Sequence, residues 1–420
     1  MRYLAFLVNI MNKVFSAQQL DEKDPLREKV HEFSLPKNTV YLDGNSLGAL
    51  PKAAKERARD VVNRQWGEDL ITSWNKNDWI ALPQIVGDKV GTLVGAKQGQ
   101  VVCCDSISIN LFKVLSAAIK MQPSRKVIAT TRDNFPTDIY MVQGLIDLLG
   151  EEYSIRYIDE HNIENALTDD IAVLMLTQVN FRSGHKLNMK QVTAEAQRKG
   201  ILTLWDLAHS AGAFVVELDD CNVDFAVGCT YKYLNGGPGA PAFIYVAERH
   251  QQAYKQPLSG WMGHSAPFAF SPDYTPDSSI KQNLCGTPGV IGMSVLDAAL
   301  SVFDGISLKA IDEKSKKLQA FFIAEAKREG LSSHFINVSP AIEQRGSQVA
   351  FAHDDAYAIC QAWIDEGVIA DFRAPNILRV GFAPLYLTFS DIEYAVKKLA
   401  LIMREKRYDN PKYKAQQRVT

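Results

Sequence analysis

The sequence has no excess of either charge. Its 46 basic and 48 acidic residues leave a formal net charge of -2, which removes the attraction that draws proteins to nucleic acid or anionic membranes. Cysteine is sparse: six residues in 420 (103, 104, 221, 229, 285 and 360), with no CxxC pair and no spacing of a zinc site or a disulfide framework. A reducing, cytoplasmic setting without a bound metal is therefore expected. Runs of the length a membrane helix needs, about 18 uninterrupted apolar residues, are missing. The stretch Leu4 to Met11 behind Arg2 is broken by Asn9 and followed by no cleavage motif, which argues against a secretion signal, and Met11 is itself a candidate start. Internal repeats and low-complexity linkers are also lacking.

What is there is an apolar content of 46%, enough in 420 residues for one large domain and a smaller one. The pattern places an N-terminal extension over 1–40, a large α/β domain over 41–310 and a small α+β domain over 311–420 that takes in some N-terminal residues. Short apolar runs at 126–129, 171–176, 202–205, 223–227 and 240–246 read as strands, and helical spacing recurs over 110–119, 140–149 and 189–198. Their alternation predicts parallel strands joined by crossover helices. Beyond Asp312 the pattern gives a helix over 316–329, a strand over 348–352, a helix over 355–366, a strand over 378–381 and a helix from Ser390 onward. The polar tail from Lys406 to Thr420 is expected to fray.

In open parallel sheets, ligands bind beyond the carboxyl ends of the strands, and four polar clusters close the apolar runs here. Ser106 and Ser108, within Asp105 to Asn110, precede a helix and suit a phosphate, although a serine-rich turn there is more often an ordinary helix cap. Phe135 and Asp138 offer a ring face and an acceptor, or else a capping turn over a buried ring. Asp206 ends a strand and His209 follows it; a buried carboxylate needs a cation, which a core salt bridge also supplies. Tyr231 and Lys232 lie on a glycine-rich bend, Cys229 to Gly239, between two strands. A lysine for a Schiff base, an aspartate 26 positions earlier for a pyridine nitrogen and a helix entrance for phosphate together describe pyridoxal phosphate.

Five segments, Tyr41-Leu-Asp-Gly-Asn-Ser-Leu-Gly48, Phe135-Pro-Thr-Asp138, Trp205-Asp-Leu-Ala-His-Ser-Ala-Gly-Ala213, Gly228-Cys-Thr-Tyr-Lys-Tyr-Leu-Asn-Gly-Gly-Pro-Gly239 and Gly260-Trp-Met-Gly-His264, resemble the kynureninase family. The likeness runs from Val40 to Phe389. It implies a fold-type I, aspartate aminotransferase-like large domain with a mainly parallel sheet, and a homodimer with shared active sites. It implies hydrolytic cleavage of the Cβ–Cγ bond of L-kynurenine to anthranilate and L-alanine. Carried over by position, Lys232 would hold the cofactor and remove the α proton, and Asp206 would pair with the ring nitrogen, supported by His209. Phe135 would stack on the ring, while Ile107, Ser108, Asp138, Thr177 and Tyr231 complete the contacts, with Tyr231 also a candidate proton carrier. Trp261 and Thr287 would reach the phosphate from the neighbouring subunit. Arg379, with Arg373 the weaker candidate, would grip the α-carboxylate through two parallel donors. Trp74 would lie near the aniline ring and His264 beside the substrate. Trp74 and Thr287 resemble the bacterial type, which favours kynurenine over its 3-hydroxy form, in tryptophan degradation. Ser108 stands where threonine is frequent and keeps the hydroxyl, and residues 1–35 match no motif.

Two rival functions make sequence demands of their own. A cysteine desulfurase or related lyase on the same fold needs a nucleophilic cysteine on a mobile loop of the second domain. Cys360 is the candidate, yet 355–363 has helical apolar spacing, where cysteine acts as a small core residue. A non-catalytic module that binds pyridoxal phosphate as a regulator needs a DNA-binding domain ahead of the fold, for which the segment before Val40 is too short.

Overall fold

The computed structural model describes residues 15–415; the Leu4 to Met11 stretch lies outside them. The chain forms two compact units. One comprises Ala54–Asn180 and Leu187–Leu300; the other comprises the described residues up to Ala53, Phe181–Lys186 and those from Ser301 onward.

The unit from Ala54 to Leu300 is built on a seven-stranded sheet: β1 (Val101–Cys103), β2 (Val127–Thr131), β3 (Ser154–Ile158), β4 (Ile171–Thr177), β5 (Leu202–Asp206), β6 (Phe225–Gly228) and β7 (Phe243–Val246), in the order β1-β7-β6-β5-β4-β2-β3. Strands β2 to β6 run parallel, and β7 is antiparallel to both of its neighbours. Strand β4 shows why: six consecutive apolar residues, all buried, form the run of a strand covered on both faces. The five expected strands are present with shifted ends. Strands β1 and β3 were not anticipated. The first has three residues, too few to show a period, and the second is an edge strand whose Ser-Ile-Arg-Tyr-Ile is mostly half-exposed.

Helix α1 (Ile107–Met121) follows β1, α2 (Pro136–Leu149) follows β2, and α3 (Met189–Arg198) lies between β4 and β5. Leu111, Val114, Leu115 and Ala118 of α1 share one apolar cluster with Ile128, Val173, Leu204, Phe225 and Val227 of the sheet. Away from the ligand end of the sheet, buried Asp224 ties the starts of two strands together. It accepts from Thr203 N and Oγ1, both at 2.9 Å, from Arg249 Nη2 at 2.7 Å, and lies 2.8 Å from His250 Nε2. Burial opposes its ionisation, but His250 and the other donors outweigh that and hold its pKa below the usual carboxylate range.

The other unit carries a four-stranded antiparallel sheet of β8 (Ile336–Asn337), β9 (Gln348–Ala352), β10 (Asp371–Arg373) and β11 (Ile377–Gly381), ordered β10-β11-β9-β8. Its helices are α4 (Leu308–Arg328), α5 (Ala356–Asp365) and α6 (Phe389–Arg404). Fully buried Trp363 of α5 donates to the Ala395 carbonyl of α6 at 3.0 Å. N-terminal residues are stitched into this unit: Asp21 accepts from Phe389 N at 2.6 Å and Ser390 N at 3.1 Å at the start of α6, and Asp24 pairs with Lys314 at 2.6 Å. The expectation of a frayed tail is corrected as far as residue 415. Lys412 and Tyr413 bind Asp365 at 2.7 and 2.9 Å, and Arg407 pairs with Glu366, so charges on α5 and just beyond it hold two short 3-10 turns in place. Among the described residues no single helix is long and apolar enough to cross a membrane.

Replacing Asp224 by Ala leaves Arg249, His250 and the Thr203 donors without their shared acceptor, and is expected to cost about 3 kcal/mol. Because this carboxyl's folded pKa is depressed, the native protein should also lose stability as pH falls through the carboxylate range, and the variant should lose less. Urea unfolding at several pH values checks both; matching pH profiles would place the acid sensitivity elsewhere.

Candidate active site

The parallel register sets the ligand end of the sheet. Thr177, the last residue of β4, pairs with Asp206, the last residue of β5, which in turn pairs with Val227 of β6. Three strand ends therefore finish at one level, and the segments that follow β2, β5 and β6 bring Asp138, His209 and Lys232 into one group. The bend after β6 depends on left-handed backbone at Asn235, Gly237 and Gly239, with φ of +57°, +90° and +72°, which glycine adopts without strain.

Lys232 Nζ lies 2.9 Å from His209 Nε2, 6.0 Å from the centre of the Phe135 ring and 5.9 Å from that of Tyr231. His209 thus stands against the lysine. Asp206 is 2% exposed and takes the Ala208 N–H at 2.6 Å. Burial raises its pKa, against the pull of that N–H and of the Lys232 charge. Asp138, in the first turn of α2, is fully buried; burial first, and the charge of Asp206 second, hold it well above the carboxylate range. Asp138 Oδ2 is 3.2 Å from Thr177 Oγ1, whose other neighbour is the Asn134 side-chain oxygen, and the Asp138 and Asp206 carboxyls share a side-chain hydrogen bond. Phe135 precedes Pro136 at the helix start and is 42% exposed, so its ring lies outside the core rather than buried under a cap.

Two dry acids beside one lysine make a site that accepts a cationic nitrogen. That donor set fits pyridoxal phosphate. At the entrance to α1, Ser106 is the cap, accepting from Ile109 N at 3.5 Å. The first-turn N–H groups of Ile107 and Ser108 then face out of the helix without an intrahelical acceptor, as a phosphate requires. Tyr231 is half-buried, and burial followed by Cys229 raises its phenol pKa, so it stays protonated at neutral pH.

Arg379 belongs to the other unit, on β11, and is 1% exposed. Its Nη1 donates to the Phe181 carbonyl at 2.6 Å, its Nη2 to Ser46 Oγ at 2.9 Å, and it is paired with Asp371 of β10. With the Asn45 amide turned to suit its neighbours, the oxygen accepts from Arg379 Nε at 2.9 Å and the nitrogen reaches Asp43 Oδ1 at 3.3 Å. Arg373 is more open and shares Asp371 at 3.0 Å. Asn45, Ser46 and Asp371 were not singled out from sequence. The first two sit inside the Tyr41 to Gly48 segment, and Asp371 is two residues before Arg373 on the same strand, so both signals were present. Gly381 allows the approach, since a Cβ there would collide with the Asn45 side-chain amide.

The remaining candidates lie in the Ala54–Leu300 unit. Trp74 packs edge-on against Trp79 at 5.9 Å, and Trp79 is pinned by Gln65 Oε1 at 2.7 Å. That Gln65 lies near the end of a π-helical stretch, Val61–Trp66, a distortion frequent at functional sites. Trp261 is exposed and meets Phe268 edge-on at 5.7 Å, and Thr287 is exposed. His264 commits both ring nitrogens to its own loop, Nδ1 to Ala266 N at 2.8 Å and Nε2 at 3.2 Å from the Asp273 carbonyl.

Residues 311–399 match the family model of the kynureninase C-terminal domain. A kynureninase of Burkholderia pseudomallei strain 1106a is 47% identical, covering 96% of this chain and 99% of that protein. A kynureninase of Pseudomonas fluorescens is 43% identical over 96% of this chain and 98% of that protein. The chain belongs to the kynureninase family. The expectation of a pyridoxal phosphate enzyme that cleaves kynurenine stands with that membership. Among solved structures, the apo cysteine desulfurase of Thermococcus onnurineus NA1 superposes with a TM-score of 0.75 at 16% identity, covering 90% of this chain and 98% of that one. A C-DES lysine-to-alanine mutant with glycine covalently linked to its PLP cofactor gives 0.76 at 16%, covering 88% and 98%. At that identity they show the shared fold-type I architecture. The desulfurase chemistry has no nucleophile at Cys360, which is 0% exposed within α5 and whose thiol pKa burial drives far up.

Near the arginine cluster, burial and then the charge of Asp371 push Asp43 up to about 7, against Arg379. Between the ordinary carboxylate range and that value the folded chain keeps a proton the unfolded chain has lost, so stability should fall as pH rises through the window and level off above it. Asp43→Asn should flatten that slope, whose limit for one proton is about 1.4 kcal/mol per pH unit. Unfolding free energies measured from about pH 5 to about pH 8 decide, and an unchanged slope in the variant would clear Asp43 of the effect.

Proposed function

We propose that the residues around Lys232 carry out the hydrolytic cleavage of the Cβ–Cγ bond of L-kynurenine, releasing anthranilate and L-alanine. The observation behind this reading is the buried Asp206 brought level with Thr177 and beside Lys232, a cation-seeking acid next to an amine. When bound, pyridoxal phosphate supplies a covalent handle for the substrate amine and an electron sink for the carbanion.

Lys232 holds the cofactor and, once displaced by substrate, is the amine that takes the α proton. His209, 2.9 Å from that amine, holds it in position. Asp206 keeps the ring nitrogen protonated, because a buried carboxylate stabilises a cation it faces far more than water does. Asp138 and Thr177 offer further polar contacts at the same end, and Phe135 presents an exposed ring face for stacking. Ile107 and Ser108 take the phosphate at the head of α1. Tyr231, protonated at neutral pH, donates to the phosphate or moves a proton during carbon–carbon cleavage. Arg379 grips the α-carboxylate, with its position set by Asn45, Ser46 and Asp371 and with Arg373 as a second cation nearby.

Trp74 borders the aniline ring, and with Thr287 it favours kynurenine over the 3-hydroxy form. His264 keeps a supporting place beside the substrate through its loop. The active unit is a homodimer in which Trp261 and Thr287 serve the neighbouring subunit's phosphate. Exposed Trp261, Phe268 and Phe270 on one loop are the kind of apolar patch that a second copy covers. The setting is cytoplasmic, in tryptophan degradation, with no nucleic-acid or membrane partner.

Purified protein mixed with L-kynurenine should generate anthranilate fluorescence, and Lys232→Ala should abolish it. Asp206→Asn should still bind cofactor but lose at least ~100-fold in kcat, while Cys360→Ala should stay within about twofold of the native rate. Native protein that binds cofactor and releases neither anthranilate nor its hydroxy analogue would end the kynurenine reading.

A further inference from the structure

Lys113 is an ammonium in the core of the Ala54–Leu300 unit that the proposed chemistry does not use. It lies on α1, is 0% exposed, and its Nζ stands 2.5 Å from Asp105 Oδ2, 2.6 Å from the Asn283 carbonyl and 3.9 Å from Cys104 Sγ. Burying a lysine costs several kcal/mol unless it is paired and hydrogen-bonded. A core-facing helix position two turns into α1 would ordinarily take an apolar residue, so the cation needs a reason. Burial acts to lower its pKa, and Cys104 and Asp105 reverse this, so it stays charged.

Its contacts fall on two segments. One is the loop at 104–106 that feeds β1 into α1. This loop is held by three bonds: Cys104 N donates to the Ala242 carbonyl at 2.9 Å, Ala242 N to the Asp105 carbonyl at 2.8 Å, and Asn110 Nδ2 to the Cys104 carbonyl at 2.8 Å. Asp105 itself adopts φ of +46°, a left-handed conformation that a residue with a Cβ holds at a cost, and its carboxylate is the group that Lys113 grips. The direction of the first-turn N–H groups of α1 follows from that loop. The second segment begins at Asn283, whose side-chain oxygen accepts from Tyr254 OH at 2.7 Å, and leads through Cys285 and Gly286 to Thr287. Asp105 and Thr287 line one cavity of 290 Å³.

We infer that Lys113 is a positioning residue for the cofactor phosphate: a buried strut, anchored on the Asn283 carbonyl, that fixes the loop at 104–106 and with it the entrance of α1. The inference rests on the pyridoxal phosphate reading above and adds a residue that touches neither substrate nor cofactor.

A merely structural lysine would not distinguish a phosphorylated from an unphosphorylated ligand, so the test compares the two. Apoprotein of the native chain, Lys113→Met, Lys113→Arg and Asp105→Asn is titrated with pyridoxal phosphate and with pyridoxal, following the visible absorbance of the imine formed with Lys232. In Lys113→Met the dissociation constant for pyridoxal phosphate should rise by about tenfold or more, while that for pyridoxal stays within about twofold, with partial recovery in Lys113→Arg. Asp105→Asn, a partly exposed position that leaves the core intact, should show the same selectivity and serves if Lys113→Met does not fold. Equal weakening of both ligands, or no change in either, overturns the assignment. A native chain that forms the imine with neither ligand would refute the cofactor reading itself, and the inference with it.

Discussion

Two acids and one lysine share the dry end of the sheet, and that imbalance of charge organises the rest of the site. Burial raises the pKa of both Asp206 and Asp138, and holds Asp138 well above the carboxylate range, so ionising either is opposed unless a positive charge stands beside it. In a medium of low polarisability the arrangement favours any ligand that brings a fixed positive charge to the right place. A protonated heteroaromatic nitrogen meets that demand and gains from it, because the same acids that accept it keep it cationic. The surrounding sheet makes the arrangement durable: β4, β5 and β6 are apolar, covered on both faces and in register, so their last residues cannot easily move to solvate a charge.

The second unit applies the same principle with the sign reversed. Arg379 is as buried as Asp206, and its charge is balanced by Asp371 and distributed over Ser46, Asn45 and the Phe181 carbonyl. A guanidinium locked in this way loses little freedom when it meets a carboxylate, which is how a positioned arginine turns binding energy into orientation. The desulfurases that share the fold show how little the scaffold alone decides. At 16% identity the architecture persists, but this chain's second-unit cysteine is sealed in a helix.

Much of this could be read along the chain. Asp206 and Lys232 stood out because each closes or follows an apolar run, and the run itself is a statement about burial on both faces of a sheet. Phe135 and Asp138 were legible for the same reason, at the head of a helix marked by proline. The edge strand β3 was not, since a half-exposed strand has no need of an apolar run. The tail beyond Lys406 looked unstructured because its polar residues gain their order from Asp365 and Glu366, partners that local sequence cannot reveal. Lys113 was hidden within an apolar helical pattern, where one charged residue reads as a solvated side chain until its three partners are seen.

The sequence by itself determined the class of chemistry, because a cofactor lysine, an acid for the ring nitrogen and a helix entrance for phosphate are residue types in a fixed order, and order is written in the chain. Tertiary structure alone decided what each group experiences. That Asp138 and Asp206 are neighbours, that His209 stands against Lys232, that Arg379 is held by Asn45, Ser46 and Asp371, and that Lys113 reaches Asn283, 170 residues further on, all depend on contacts distant in sequence. Burial and distance set pKa, charge and orientation, and neither is a property of a residue until the chain has folded around it.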